Sequence, residues 1–141
     1  MLKGVPAILS PELLKILAEM GHGDEIVLAD GNFPAASMAQ RLVRADGHGV
    51  PEVLEAVLKV FPLDRYVERA AALMEVVPGD PTKPVIWDKY QELLDASGEP
   101  FEEFEMVERH SFYERAKHSY AIVATSEKAL YANIILKKGV L

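Results

Sequence analysis

The chain is punctuated by apolar runs bounded by residues that break regular structure. Ile26-Val27-Leu28-Ala29 stops at Asp30-Gly31, Ala70 to Val77 stops at Pro78-Gly79-Asp80, and Tyr120 to Thr125 and Ile134-Ile135-Leu136 follow later. Runs this short have too few residues for a helix and read as buried strands, although the Ala70–Val77 run fits a helix as well. The segments between them carry helical spacing. Ser10-Pro11-Glu12 opens a helix, with serine as N-cap, proline at the first helical position and an acid in the first turn. Leu13, Leu14, Ile16, Leu17 and Met20 form its apolar face, and Gly21 stops it. Pro51 opens a second helix burying Val53, Leu54, Val57 and Leu58, ended by Phe61-Pro62. A third begins near Pro84 and buries Val85, Ile86, Tyr90, Leu93 and Leu94, with Asp95 to Pro100 as a turn-rich link. Ser111-Phe112-Tyr113-Glu114 matches a capping box and starts a short helix through Lys117. Arg41 to Ala45 and Phe104 to Met106 add two short strands. This alternation predicts an α/β layered domain with a largely parallel sheet, spanning residues 1–141 as one domain.

Composition excludes several classes. With 22 acidic against 15 basic residues and no basic block, the chain lacks the footprint of a nucleic-acid binder. It has no cysteine, which removes disulfides, thiolate metal sites and a thiol nucleophile. No apolar run approaches the ~18 residues of a membrane span, and Met1 to Pro6 has no signal-peptide core, so a cytoplasmic protein is expected. Phosphate-loop, dinucleotide-binding and Gly-x-Ser-x-Gly patterns are absent.

His22 sits between Gly21 and Gly23, just ahead of the Ile26–Ala29 strand that ends at Asp30. Glycines on both sides allow a sharp turn and close approach to a ligand. The residues allow an acid/base role for His22 with Asp30 in the same pocket, but the pattern alone fits better a polar loop residue beside a helix cap. His48, also flanked by glycines, reads as a loop residue; His118 falls at a helix end, and Arg109-His110 precedes a helix start. Glu19-x-x-His22 has ligand-like spacing but stands alone, so no zinc or iron site is expected. Glu102, Glu103, Glu105 and Glu108 read as a solvated surface run. Tyr131 and Asn133, two apart before the last strand, point the same way if extended, toward a ligand with several hydroxyls or toward turn backbone. Phe33 is core or the apolar wall of a pocket, with core the better fit.

Six blocks in order carry a resemblance: Glu19-Met20-Gly21-His22-Gly23-Asp24-Glu25, Asp30, Asn32-Phe33-Pro34, Arg44-Ala45-Asp46-Gly47, Phe112-Tyr113-Glu114-Arg115-Ala116, and Tyr131 through Val140. From Ile8 to the C-terminus the chain resembles the sugar mutarotase family that contains D-ribose pyranase, and within it the L-fucose branch. The resemblance implies a three-layer α/β/α sandwich and a cofactor-free enzyme that interconverts the anomers of a free monosaccharide. It implies His22 as proton donor, with Asp30, Arg109, Tyr131 and Asn133 as sugar-binding positions and Ala132 contacting through its backbone. It further implies a homo-oligomeric ring, a decamer in bacterial members, in which one subunit's C-terminal segment completes a neighbour's pocket.

The chemistry suits these residue types. Opening a cyclic hemiacetal removes a proton from the anomeric hydroxyl and delivers one to the ring oxygen. Histidine, with an ordinary pKa of about 6.5, offers both protonation states near neutrality, and Tyr131 is a second candidate proton carrier. Phe33 would face the C6 methyl group that distinguishes fucose from ribose. A D-ribose pyranase activity and a non-catalytic monosaccharide-binding protein are the competing readings.

Overall fold

The computed structural model describes residues 1–141. Eleven elements alternate along the chain: α1 (Pro11–Glu19), β1 (Glu25–Ala29), α2 (Ala35–Met38), β2 (Leu42–Ala45), α3 (Val50–Leu58), β3 (Ala71–Met74), α4 (Ile86–Ala96), β4 (Glu105–Val107), α5 (Arg109–His118), β5 (Ala121–Thr125) and β6 (Ile134–Lys137). The strands form one sheet in the order β2-β5-β1-β6-β3-β4. β1 and β2 run parallel to β5, and β3 runs parallel to β4. β6 alone is antiparallel, and it lies between β1 and β3. A parallel partner requires a crossover connection, and the Ser126–Asn133 link holds no helix to make one.

Strand residues alternate between two cores, as a pleat demands. Ile26, Leu28, Leu73, Ile134 and Leu136 pack beneath α1, α3 and α4, together with Leu13, Leu17, Leu54, Tyr90 and Leu94. Val27, Ala29, Ala72, Met74 and Ile135 pack on the other face against Phe33 and Ala35 near α2 and Phe112 and Ala116 of α5. Helices therefore cover both faces, giving the expected three-layer sandwich with a mostly parallel sheet. Burying each large aliphatic side chain here contributes roughly 1.5–3 kcal/mol.

Local expectations hold for α1, where the Ser10 hydroxyl accepts from the Leu13 N–H at 3.1 Å. The helix closes at Glu19, two residues before Gly21, with Met20 extended and buried. The Ala70–Val77 run is a strand, shortened to Ala71–Met74. Three expectations need correction. Val85 is 77% exposed, because the inward face of α4 is set by Tyr90 and Leu94. α5 begins at Arg109, two residues before Ser111, because the Glu108 carboxylate accepts from the His110 and Ser111 N–H groups at 3.0 Å each. The acidic run is only partly solvent-facing in role: Glu103 pairs with Arg69, and Glu105 with Arg115. Arg115 also reaches Glu25 at 2.6 Å and so ties α5 to β1 and β4.

The chain end is tightly seated. Leu63 bridges Lys138, and the Gly139 N–H donates to Pro62 O at 2.8 Å. A Cβ on Gly139 would lie 2.4 Å from the Leu63 carbonyl oxygen, which is backbone and has little room to yield. Gly139→Ala should destabilise the fold by about 1–3 kcal/mol, the usual cost of overpacking. A lower urea midpoint at unchanged slope would show this.

Candidate active site

Because β6 is antiparallel, its leading segment lies at the carboxyl ends of β1 and β3, where open α/β sheets gather ligands. A cleft of about 260 Å³ opens there, lined by Asp30, Asn32, Phe33, Met74, Val77, Asp80, Arg109, Tyr113, Leu130, Tyr131 and Asn133. It is smaller than the ~300–1,000 Å³ of clefts for drug-sized ligands, a scale that suits a small polar molecule. All four side chains expected to bind sugar, Asp30, Arg109, Tyr131 and Asn133, line it.

Asp30 is 7% exposed. Burial pushes its carboxyl above the ordinary range, and the charge of Glu127 adds to this, against the pull of the Asn32, Phe33 and Ala132 N–H groups. Its own N–H donates to the Asn133 side-chain oxygen at 2.8 Å, tying the end of β1 to the start of β6. Ala132 is fully buried, and its carbonyl accepts from the Tyr90 hydroxyl at 2.6 Å. Burial drives the Tyr90 phenol well above its normal pKa, so it stays a donor.

Tyr131 departs from the extended backbone expected of it. Its φ is 56°, the only left-handed non-glycine residue in the chain, so pocket-lining by Tyr131 and Asn133 comes from a kink rather than strand alternation. The kink is held from outside: Trp87 Nε1–H donates to the Tyr131 carbonyl at 2.8 Å. The phenol donates to Asp80 Oδ2 at 2.6 Å and receives the Val77 N–H at 3.3 Å. Asp80 raises the Tyr131 phenol above its normal range, opposed by the Val77 N–H and by the Arg109 charge. Arg109, the first residue of α5, is exposed, with its guanidinium 5.6 Å over the Tyr113 ring. Phe33 is both alternatives at once: nearly buried against Phe112 and Tyr113, it also forms the apolar wall of the cleft.

His22 is not in this cleft, contrary to the expectation that it shares a pocket with Asp30. The five residues of β1, at ~3.3 Å each, put roughly 16 Å between the two ends of the strand. At the amino end, Gly23 takes a φ of 87° and its N–H donates to Lys138 O at 2.8 Å, which seats the histidine loop on the chain terminus. The imidazole Nε2 lies 3.1 Å from Asp64 Oδ1, beside the Tyr66 ring at 5.7 Å. Asp64 is buried, which alone would raise its carboxyl. The Tyr66 N–H, the His22 bond and charge, and Lys137 outweigh that and leave it below the ordinary range. An ionised carboxylate only accepts, so Nε2 carries a proton and Nδ1 is left free. With its side chain 46% exposed, His22 faces outward. It borders a shallow apolar depression formed by Leu14, Leu17, Met20, Val60, Pro62 and Val140.

The other histidines have local partners. His118 Nδ1 is 2.8 Å from Glu114 O at the end of α5, and His48 Nδ1 is 3.5 Å from Glu52. Asp64, Asp80, Trp87 and Tyr90 were missed by sequence reasoning. Asp64 is 42 positions from His22, and Asp80 sits in a turn that reads only as a strand stop.

The whole fold, with this cleft at one end of the sheet and His22 at the other, has known relatives along nearly its full length. Residues 3–141 match the RbsD / FucU transport protein family. The chain belongs to this family. The fucose mutarotase of Homo sapiens is 57% identical over 99% of this chain and 94% of its own length. The L-fucose mutarotase of Actinobacillus pleuropneumoniae is 50% identical over 99% of this chain and 97% of its own. The crystal structure of the fucose mutarotase from Streptococcus pneumoniae in complex with L-fucose is similar at a TM-score of 0.95 and 52% identity, covering 99% of each chain.

The raised Asp30 pKa has a sign. A carboxyl that holds its proton more tightly when folded stabilises the fold at acid pH, and that contribution is lost as pH rises through the folded pKa. The Asp30 carboxyl carbon should titrate above ~3.9 by NMR. Asp30→Asn should flatten the fall in stability across that window.

Proposed function

We propose that this protein is an L-fucose mutarotase, an isomerase that interconverts the α and β anomers by opening and reclosing the hemiacetal ring. The observation that carries this reading is the cleft itself. It gathers Asp30, Arg109, Tyr131 and Asn133 at the carboxyl ends of β1 and β3, in a fold matched end to end by a fucose-bound relative. Asp30 and the Asn133 amide bind sugar hydroxyls, Arg109 donates to them, and the Ala132 segment presents backbone. Phe33 forms an apolar wall for the C6 methyl, worth about 1 kcal/mol when buried.

Ring opening needs proton transfer at two different oxygens, and Tyr131 can serve one of them from within the cleft. We propose that His22, held by Asp64, supplies the other from a neighbouring copy. Leu141 is fully exposed, Tyr66 beside His22 is 71% exposed, and apolar side chains flank the histidine loop. Surface of this kind marks an interaction site. The assembly we infer is a closed homo-oligomeric ring, the decamer implied by the resemblance, in the cytoplasm, with each active site completed across a subunit boundary.

Saturation transfer between the anomeric protons of L-fucose tests the activity. Substoichiometric protein should speed exchange without consuming sugar, and faster on L-fucose than on D-ribose, since one methyl in an apolar pocket discriminates by roughly 10–200-fold. Binding without faster exchange would make it a sugar-binding protein, and a faster rate on ribose would make it a pyranase.

The shared site has its own test. His22→Ala and Tyr131→Phe should each lose about 10²–10⁴-fold in rate. Co-expressed, they should recover about a quarter of the wild-type sites by statistical mixing in a closed assembly. No recovery, or a monomeric mass by light scattering, would refute the composite site.

A further inference from the structure

Tyr131 is bound on two sides before any sugar arrives. Its hydroxyl hydrogen points at Asp80 Oδ2, 2.6 Å away, and one lone pair takes the Val77 N–H at 3.3 Å. Asp80 is fixed in turn: its other oxygen, Oδ1, accepts the Thr82 N–H at 2.9 Å. A phenol has one hydrogen and two acceptor positions. With the hydrogen committed to a carboxylate that can only accept, the position left for the cleft is a lone pair.

We infer that Asp80 is a positioning residue that fixes the hydrogen-bond polarity of Tyr131, so that the phenol meets the sugar as an acceptor and serves as the base at the anomeric hydroxyl. This deepens the mutarotase reading and rests on it. A neutral phenol cannot keep a second proton, so the arriving proton is matched by a departing one. The anomeric O–H bond breaks as the phenolic oxygen gains that proton, while the original phenolic O–H bond breaks and Asp80 Oδ2 gains its hydrogen. The electron pair left on the anomeric oxygen forms the aldehyde C=O as the bond from the anomeric carbon to the ring oxygen breaks. The ring oxygen keeps that pair and takes the Nδ1 proton of the neighbouring copy's His22, which enters this step as the imidazolium and leaves it as the neutral Nε2–H form still bonded to Asp64. Closure on the other face returns each proton along the same path. The roles are thereby divided: Tyr131 with Asp80 removes, His22 delivers, and they exchange parts on closure.

The charged and titratable groups around the phenol are few. Arg109 and Tyr113 reach the cleft from α5, Asp30 from the end of β1, and Asp80 from the loop after β3. Of these only Asp80 bonds the phenolic oxygen. The arrangement has a specific weakness. In Asp80→Asn the amide oxygen keeps the Thr82 N–H, and the amide nitrogen then donates to the phenol, turning the phenolic hydrogen into the cleft.

The test uses protein labelled with ¹³C at tyrosine Cζ, the Tyr131 signal being the one of five that Tyr131→Phe removes. In Asp80→Asn the titration midpoint of Tyr131 should fall, since a donor now favours the phenolate. For L-fucose exchange kcat should drop by about 10²-fold, the lower end of what a positioned proton carrier contributes, with KM little changed. Asp80→Ala, as a second variant, should lower both midpoint and kcat. In a Tyr131→Phe background neither substitution should cost anything further. An unchanged Tyr131 midpoint, a loss carried in KM, or losses that multiply with Tyr131→Phe would each overturn the role of Asp80. Failure of the mutarotase reading is separable, because it would show as absent exchange in the wild type.

Discussion

β6 is hydrogen-bonded on both sides, with Ile134 opposite Leu28 of β1 and Leu73 of β3, and it runs against both. That one reversal distributes the chemistry. The residues before β6, Tyr131 to Asn133, arrive at the carboxyl ends of its neighbours and enter the cleft. The residues after it, Lys138 to Leu141, arrive at the amino ends and form the seat of the histidine loop. There Lys138 accepts from Gly23 and donates to Asp24 through its backbone, while its ammonium donates to the Leu17 carbonyl at the end of α1. A parallel β6 would carry Tyr131 to the opposite end of the sheet and leave the Asp30 N–H without Asn133.

The cleft is prepared rather than formed on binding. A left-handed non-glycine residue costs on the order of 1–3 kcal/mol and persists only where the surroundings over-determine it. Around Tyr131 they do: Trp87 holds its carbonyl, Tyr90 holds the next one, Asn133 bonds Asp30, and Asp80 holds the phenol. Both aromatic supports come from α4, whose buried side chains are Tyr90 and Leu94. Its packing is therefore in large part site construction. Groups fixed this way need little reorganisation when charge moves on the sugar.

Sequence periodicity revealed the α/β layering because each apolar run is short, each helix is opened by a proline, serine or acid, and the strands alternate cleanly between two cores. The residues binding the cleft together were legible as far as their chemistry is local: Asp30 at a strand end, and Tyr131 with Asn133 before the last strand. What was not legible depends on distance along the chain. Asp64 meets His22, Asp80 meets Tyr131 and Tyr90 meets Ala132 across separations of more than forty residues, with no spacing rule to announce them. The placement of His22 failed for a related reason. Its nearness to Asp30 in sequence is spanned by an extended strand, and an extended strand is the one element that drives neighbours in sequence furthest apart.

Separating His22 from the cleft puts the two proton carriers of the proposed function at opposite ends of the sheet. The groups proposed to bind sugar hydroxyls belong to one chain and are held by hydrogen bonds within it. The imidazole belongs to a loop beside partly exposed apolar surface, Val60 and Tyr66 included, which a second copy would cover in the proposed ring. Covering them would remove water from around the His22–Asp64 pair, and a charge-assisted hydrogen bond strengthens as the local dielectric falls. The buried carboxylate then keeps Nε2 as its donor throughout and leaves Nδ1 as the atom that gives up its proton on opening and regains it on closure. A site built this way couples proton delivery to assembly while leaving the affinity of the cleft for sugar to the chain that forms it.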